Sequence, residues 1–214
     1  MRVTPSNSAF GVARAQLRAR LRAQRRALTP AERSRAAQLV ARNIGRNFGR
    51  NFGRNFGLRA GSRVALYCSM RDELDSAPLF ALARRRGWRV YLPKIERAHH
   101  GRKMRFFEAG GQARSNRLGI IEPQTSRAWG ARWLDVVLVP LVGFDLHGMR
   151  LGMGAGFYDR AFAYRRWRRS WRGPRLVGIG YAFQQLPQIV AAAHDVRLDA
   201  VVTEQGVLTC ATGS

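Results

Sequence analysis

The apolar residues near the amino terminus recur with the spacing of an amphipathic helix. In the stretch 13–28, leucines fall on one helical face and the other positions are mostly alanine and arginine, which favour helices. Thr29 and Glu32 then have the spacing of a capping box, with Pro30 at the first helical position. The pattern therefore predicts an N-terminal helical pair, whose second helix runs through Val40.

After residue 61 the pattern changes to short apolar runs that alternate with helical segments. Pro93 is expected to end the second of these runs, and the stretch 108–134 is expected to be mostly loop. Such alternation is typical of a largely parallel sheet with helices on both faces. The sequence predicts an α/β fold, a three-layer α/β/α single domain. The predicted strands are residues 63–68, 88–92, 104–107, 136–139, 176–180 and 200–203, and the predicted helices are 78–86 and 157–172.

The domain is expected to span residues 13–205, between a flexible tail at 1–12 and a C-terminal tail at 206–214. Within it, residues 45–57 read Gly-Arg-Asn-Phe three times and end in Gly57. A glycine at every fourth position argues against a stable helix. The repeat is predicted to be an insertion before the first strand, although interleaved arginine and phenylalanine also suit a nucleic-acid-binding segment.

Charge is the unusual bulk property, because the formal net charge is +25 and Lys94 and Lys103 are the only lysines. Such a field attracts polyanions without selecting one. No apolar run approaches the roughly 20 residues of a membrane helix, so no membrane partner is expected. Cys68 and Cys210 form no metal-type pair, which fits a reduced, cytoplasmic setting. Two alternatives stay open. The amino terminus could be a transit peptide or a basic nucleic-acid-binding arm, and the arginine- and tryptophan-rich run 165–172 could bind a single strand.

A glycine-rich stretch at residues 148–160 carries the candidate chemistry. Gly152, Gly154 and Gly156 alternate with other residues between a predicted strand and a predicted helix. The backbone N–H groups of such a loop can form a nest for phosphate oxygens, and Asp159 could hold a metal ion beside them. The stretch has neither the Walker A pattern nor the spacing of a dinucleotide fold.

Four segments in this order and spacing resemble the 5-formyltetrahydrofolate cyclo-ligase family (5,10-methenyltetrahydrofolate synthetase). They are residues 14–18, 69–75, 140–159 and 194–202, and the resemblance covers residues 13–205. It implies an ATP- and Mg-dependent enzyme that closes 5-formyltetrahydrofolate, with or without a polyglutamate tail, to 5,10-methenyltetrahydrofolate. It also implies a monomer that does not require nucleic acid.

The resemblance assigns roles to individual residues, with Tyr158 near the chemistry. The metal ligands are expected to be Asp159 and Asp199, while His194 and Asp195 are expected to be structural. Ala155 stands where lysine is common in the family, and Arg14 also replaces a common lysine. ATP is expected to contact Arg14, Arg18, Arg150, Leu151, Gly152, Met153, Gly154, Ala155, Gly156, Phe157 and Tyr158, and the folate to contact Arg18, Met70, Asp75, Met153, Gly154, Ala155, Gly156 and Phe157.

Two other functions remain possible at this point. A nucleic-acid-binding protein explains the basic surface, but it leaves the glycine loop and the segment 69–75 without a role. A protein with the family's fold and a changed or lost activity is the second alternative.

Overall fold

The computed structural model describes residues 7–48, 57–70, 72–98, 101–109, 113–115, 121–123, 127–166 and 173–210. The helices are α1 (Asn7–Ala27), α2 (Pro30–Asn47), α3 (Ala77–Arg85) and α4 (Phe157–Ala161), with 3-10 turns at Ala131–Trp133, Ala163–Arg166 and Ala182–Gln184. The strands are β1 (Arg63–Ala65), β2 (Arg89–Ala98), β3 (Gly101–Glu108), β4 (Ala113–Ser115), β5 (Ile121–Pro123), β6 (Ala128–Trp129), β7 (Val136–Pro140), β8 (Gly143–Phe144), β9 (Arg150–Leu151), β10 (Arg175–Ile179), β11 (Ala200–Thr203) and β12 (Gly206–Thr209).

One eight-stranded sheet organises the chain, in the order β12-β11-β10-β7-β1-β2-β3-β6. The central strands β11, β10, β7, β1 and β2 pair in parallel. The outer strands β12, β3 and β6 are antiparallel to their neighbours. The predicted α/β class with a mostly parallel sheet is confirmed.

The alternation of side chains along β7 shows how the sheet separates two cores. Val136 and Leu138 pack with α2 and α3 on one face. Val137 and Val139 point to the other face, where they pack with Phe162 and the residues of α4. The second face is therefore covered by a much shorter helix, which leaves room for a cavity beside it.

Helix α1 crosses the edge at which the parallel strands end. Arg25, with a side chain 2% exposed, donates to the Leu141 carbonyl after β7 and to the Asp72 carboxylate after β1. The capping box that orients α2 after α1 is confirmed, since Thr29 and Glu32 bond each other's backbone N–H groups. In the described residues, no helix has the length and apolar character needed to cross a membrane.

Several predicted boundaries are wrong. Residues 7–12 of the predicted tail are helical in α1, and residues 206–209 form strand β12. Strand β2 was predicted to end before Pro93 but continues through it. The pairing of β1 with β2 ends at Tyr91, so the missing N–H of Pro93 costs no hydrogen bond to β1. Helix α4 ends at Ala161, and residues 167–172 of the longer predicted helix lie outside the described part of the chain. The stretch 108–134 contains short strands as well as loop.

The residues that flank the last two copies of the repeat, Phe48 and Leu58, are hydrogen-bonded to each other. Helix α2 includes Gly45–Asn47 of the first copy, contrary to prediction, and Phe48 after it is 1% exposed. The Leu58 N–H donates to the Phe48 carbonyl at 3.0 Å. Residues 49–56 lie outside the described residues. Because the chain on either side is already joined, the segment between the two residues is expected to be dispensable for folding.

Deletion of residues 49–54 tests this expectation. It leaves Asn55, Phe56 and Gly57 between Phe48 and Leu58, a length that suits an i to i+4 turn. The melting temperature should stay within about 3 °C of the parent, because a shorter loop costs little entropy to close. A Gly-Ser replacement of the same six positions separates the effect of length from that of composition. A larger fall with both variants would show that the segment packs against the fold.

Candidate active site

A cavity of about 360 Å³ opens where α1, the glycine loop and the ends of β1 and β7 meet. This is the edge at which parallel α/β sheets bind ligands. Its wall combines cationic, acidic and apolar side chains with the backbone of the glycine loop. The lining residues are Arg14, Arg18, Met70, Glu73, Pro93, Ile95, Met104, Pro140, Leu141, Arg150, Gly152, Met153, Gly154, Ala155, Gly156, Phe157, Tyr158, Asp159, His194 and Asp195.

The glycine loop runs from β9 to α4 in a conformation that needs glycine. Gly154 has φ +99° and Gly156 has φ +63°, values that residues with a side chain rarely adopt. The Arg18 Nε–H of α1 donates to the Gly152 carbonyl at 2.8 Å. Helix α1 thereby holds the start of the loop and places a second cation, Arg14, on the same wall.

Two aspartates face the cavity, and each is bonded to an arginine. Asp159 accepts from Arg150 Nη2 at 2.6 Å and from the Val196 N–H at 3.0 Å, both through Oδ1. Asp195 accepts from Arg14 Nη2 at 2.6 Å and from the Ala192 N–H at 2.9 Å, both through Oδ2. Asp159 thus uses one oxygen for its bonds to the described residues, which leaves Oδ2 for a ligand, whereas Oδ1 of Asp195 lies 3.8 Å from Nε2 of the exposed His194.

Asp199, which sequence reasoning paired with Asp159, does not line the cavity. It precedes β11 at the opposite end of the parallel strands. Its carboxylate forms ion pairs with Arg165 at 2.8 Å and Arg175 at 3.4 Å, and it accepts from the Leu176 N–H. The structure therefore does not bring Asp199 to Asp159, and Asp195 is the second aspartate at the site.

Two other predicted contacts also lie outside the cavity lining. Leu151 is buried with Leu21 and Met149 beneath the glycine loop, so it supports the loop from below. Asp75 is exposed and accepts from the Ala77 N–H at the start of α3. In place of Asp75, the segment after β1 presents Glu73 to the cavity.

Glu73 is a partly buried acidic group of the wall. Burial raises the pKa of its carboxyl, so it holds a proton at higher pH than an exposed glutamate does. Asp72 beside it faces α1, where burial alone would raise its pKa. The hydrogen bonds from Arg22 and Arg25 outweigh burial and hold the pKa of Asp72 at about 2. The neighbouring carboxyls thus differ in function, since Asp72 anchors the segment and Glu73 faces the cavity.

Tyr158 lies on the wall beside Asp159. Burial raises the pKa of its phenol well above the ordinary value, and the charge of Glu73 adds to the effect. A tyrosine that keeps its proton at neutral pH can donate a hydrogen bond but cannot act as a general base.

The rest of the wall is apolar. Met70, Ile95 and Met153 are 58%, 43% and 48% exposed, and Met104 and Phe157 complete this side of the cavity. Exposed apolar side chains beside charged ones suit a ligand with a flat ring system and an anionic part.

Sequence reasoning missed the roles of Glu73 and Asp195, although both lie in segments that carried the resemblance. For Glu73 the only signal was a second acid two residues before Asp75. Asp195 lies in an irregular stretch between the 3-10 turn Ala182–Gln184 and β11, where no period reveals the direction of a side chain. Pro93 and Ile95 were missed because β2 extends past its predicted end, whereas Met104 lay inside a predicted strand but was not assigned to the site.

The pattern of the 5-formyltetrahydrofolate cyclo-ligase family matches residues 11–204 of the chain. The chain belongs to this family. The match spans α1, the glycine loop and β11, so every residue of the cavity wall lies inside it. The family resemblance drawn from the sequence is confirmed.

Individual family members agree with this assignment. A protein of Escherichia coli (strain K12) named 5-formyltetrahydrofolate cyclo-ligase is 36% identical over 149 residues, covering 67% of this chain and 79% of the relative. The solved structure of Aquifex aeolicus 5,10-methenyltetrahydrofolate synthetase matches with a TM-score of 0.72 and 29% identity over 94% of each chain. A synthetase from Mycoplasma pneumoniae shares the fold, with a TM-score of 0.67, 23% identity, and 89% and 98% of the two chains covered.

Proposed function

We propose that this family member converts 5-formyltetrahydrofolate and ATP into 5,10-methenyltetrahydrofolate, ADP and phosphate. The proposal rests on one observation: a glycine loop flanked by arginines and an apolar wall line the same cavity. Relatives named for this activity support it. The monomeric state and the cytoplasmic location stay predictions.

The glycine loop and three arginines are proposed to hold the ATP phosphates. Arg14 and Arg18 reach the cavity from α1, and Arg150 reaches it from β9. Guanidinium groups make strong, directional hydrogen bonds with phosphate oxygens. Because Ala155 provides no charge where lysine is common in the family, these arginines must supply the neutralisation. Phosphoryl transfer depends chiefly on such positioning and charge neutralisation.

The acidic groups fit a magnesium ion that is shared with phosphates. In the described residues, no group of three or more histidine, cysteine, aspartate or glutamate side chains could enclose a metal. Mg²⁺ is commonly held by one or two carboxylates, with phosphates and water as its other ligands. Asp159 meets that requirement with the oxygen that is not bonded to the protein, and Asp195 would have to offer the oxygen that lies 3.8 Å from His194 Nε2. Bound there, the ion would supply positive charge beside the phosphates.

The reaction needs a leaving group and an acceptor for one proton. Transfer of the γ-phosphoryl group of ATP to the formyl oxygen makes that oxygen a phosphate leaving group and leaves an iminium carbon. N10 then attacks this carbon, phosphate departs, and N10 loses its proton. We assign the proton to Glu73, because a buried carboxylate with a raised pKa is a stronger base than an exposed one. Tyr158, which keeps its proton, is assigned to donate a hydrogen bond to the folate.

The direct test mixes the protein with 5-formyltetrahydrofolate and MgATP and follows the near-ultraviolet absorbance of the methenyl product. The absorbance should rise only when ATP is present, and one ADP should appear for each product. Without ATP-dependent product the proposal fails. Substrate binding without turnover would then favour a protein of changed activity, and no binding of either substrate would favour the nucleic-acid-binding alternative.

A further inference from the structure

A basic surface lies at the amino-terminal ends of the parallel strands, across the sheet from the cavity. It combines the ends of α2 and α3 with the loop that leads into β1. Its six arginines are exposed, and we call them the α2–α3 arginine surface: Arg42, Arg46, Arg59, Arg84, Arg85 and Arg86.

Backbone contacts make this surface continuous. Arg86 Nη2 donates to the Gly45 carbonyl at 2.7 Å, which joins the end of α3 to the end of α2. The Gly61 N–H donates to the Gly87 carbonyl at 2.7 Å, which joins the loop before β1 to the same point. The arginines therefore extend from segments that are fixed relative to one another.

Acidic residues offset little of the charge of this surface, although Arg59 lies near enough to Asp135 to help lower the pKa of that carboxyl. At the cavity, Arg14 and Arg150 each bind an aspartate. By contrast, within the described residues none of the six arginines of the surface forms an ion pair with an acidic side chain. Arginine at helix ends interacts favourably with the helix dipole, but that does not explain Arg42, which is more than one turn from the end of α2.

An aromatic groove borders the α2–α3 arginine surface. It has a volume of about 630 Å³, and Phe80 and Trp88 contribute to its wall. Arg84 belongs both to this groove and to the arginine surface. Glu108 also lines the groove, but its carboxylate is bound by two hydrogen bonds from Arg89, each 2.8 Å long. The groove thus combines aromatic side chains with net positive charge.

We propose that the α2–α3 arginine surface and its groove bind single-stranded nucleic acid. Arginines neutralise the phosphates, and the half-buried Phe80 offers a ring on which an unpaired base can stack, whereas Trp88 is only 9% exposed. An anionic membrane fits less well, because the large exposed apolar side chains among the described residues lie elsewhere: Val12, Met70, Ile95, Trp133, Leu146, Met153 and Val190. This binding function is separate from the cyclo-ligase reaction, since the surface and the cavity lie at opposite ends of the strands.

The test measures fluorescence anisotropy of a labelled 12-nucleotide oligouridine, with oligothymidine and double-stranded DNA in parallel, at about 0.1 M salt. Replacement of Arg84 and Arg85 by glutamate should weaken single-strand binding on the order of tenfold or more and flatten its salt dependence. The matched control replaces Arg20 and Arg26 of α1 by glutamate. These residues are also exposed but lie at the other edge of the sheet. Both variants change the net charge equally, and cyclo-ligase turnover should be unchanged in the Arg84/Arg85 variant.

Three results would overturn the proposal. They are no binding of any single strand, an equal loss in the Arg20/Arg26 control, and unchanged binding after Arg42→Gln with Arg46→Gln. The last pair is conservative, so it decides the matter if the glutamate variant does not fold. Vesicles of phosphatidylglycerol and phosphatidylcholine form a further arm. A variant that loses vesicle binding but keeps single-strand binding assigns the surface to lipid and contradicts the proposal. The oligouridine and oligothymidine arms distinguish RNA from DNA.

Discussion

Asp159→Asn should lower kcat/KM of the cyclo-ligase reaction by on the order of 10³-fold, because it removes a negative charge beside the proposed phosphate site. The amide has the size of the carboxylate, so the bond from the Val196 N–H to Oδ1 can persist. The bond from Arg150 to the same oxygen loses its ionic character. The loss should therefore appear in catalysis and in magnesium dependence more than in the melting temperature.

Asp199→Asn is the matched comparison for this prediction. It makes the same carboxylate-to-amide change in a residue whose ion pairs are with Arg165 and Arg175, away from the cavity. It should lower the melting temperature and leave kcat/KM within a few-fold of the parent. Equal losses of activity in the two variants would support the ligand pair expected from sequence. Full activity in Asp159→Asn would refute the metal role of Asp159.

Arg18→Met should lower kcat/KM for ATP by about 10²-fold, because one charge-assisted phosphate contact and one anchor of the glycine loop are lost together. Methionine keeps the length of the apolar stem, but it cannot donate to the Gly152 carbonyl. Most of the effect should be on KM for ATP if Arg18 mainly binds the nucleotide. An effect mainly on kcat would indicate that holding the loop is the larger part of its role.

Two variants sharpen the result for Arg18. Arg18→Lys keeps the charge and loses the planar guanidinium, so it should recover part of the activity. Arg20→Met makes the same substitution two residues later. Because successive helical residues differ by about 100°, Arg20 points away from the cavity, and this variant should be as active as the parent. If Arg18→Met retains full affinity for ATP, the phosphate site is wrongly assigned.

The sheet could be predicted because its strands are short apolar runs buried on both faces. The run around Val137 is one of them, with four of its five residues buried. The start of α2 could be predicted because Thr29 and Glu32 satisfy the helix end through their own side chains. In both cases the determining interactions lie within a few residues of one another.

The errors arise where distant contacts determine the structure. Strand β2 passes Pro93 because its neighbour β1 has already ended, which a local rule for proline cannot include. Helix α4 likewise ends at Ala161 without a glycine or proline there that would predict a helix end. The same limit applies to the site, since Asp195 is held at the cavity by Arg14, 181 positions earlier. The glycine loop itself was located correctly, because its glycines are dictated by its own backbone.

The long-range contacts of α1 also determine when the site can form during synthesis. The helix leaves the ribosome before its partners Leu141, Gly152 and Asp195, which follow 116, 134 and 181 positions after the α1 residues that bind them. Helix α1 can therefore dock only when almost the whole chain has been made. Until then its arginines stay exposed to the polyanions around a translating ribosome. The cavity is thus completed by a helix that was synthesised long before its partners.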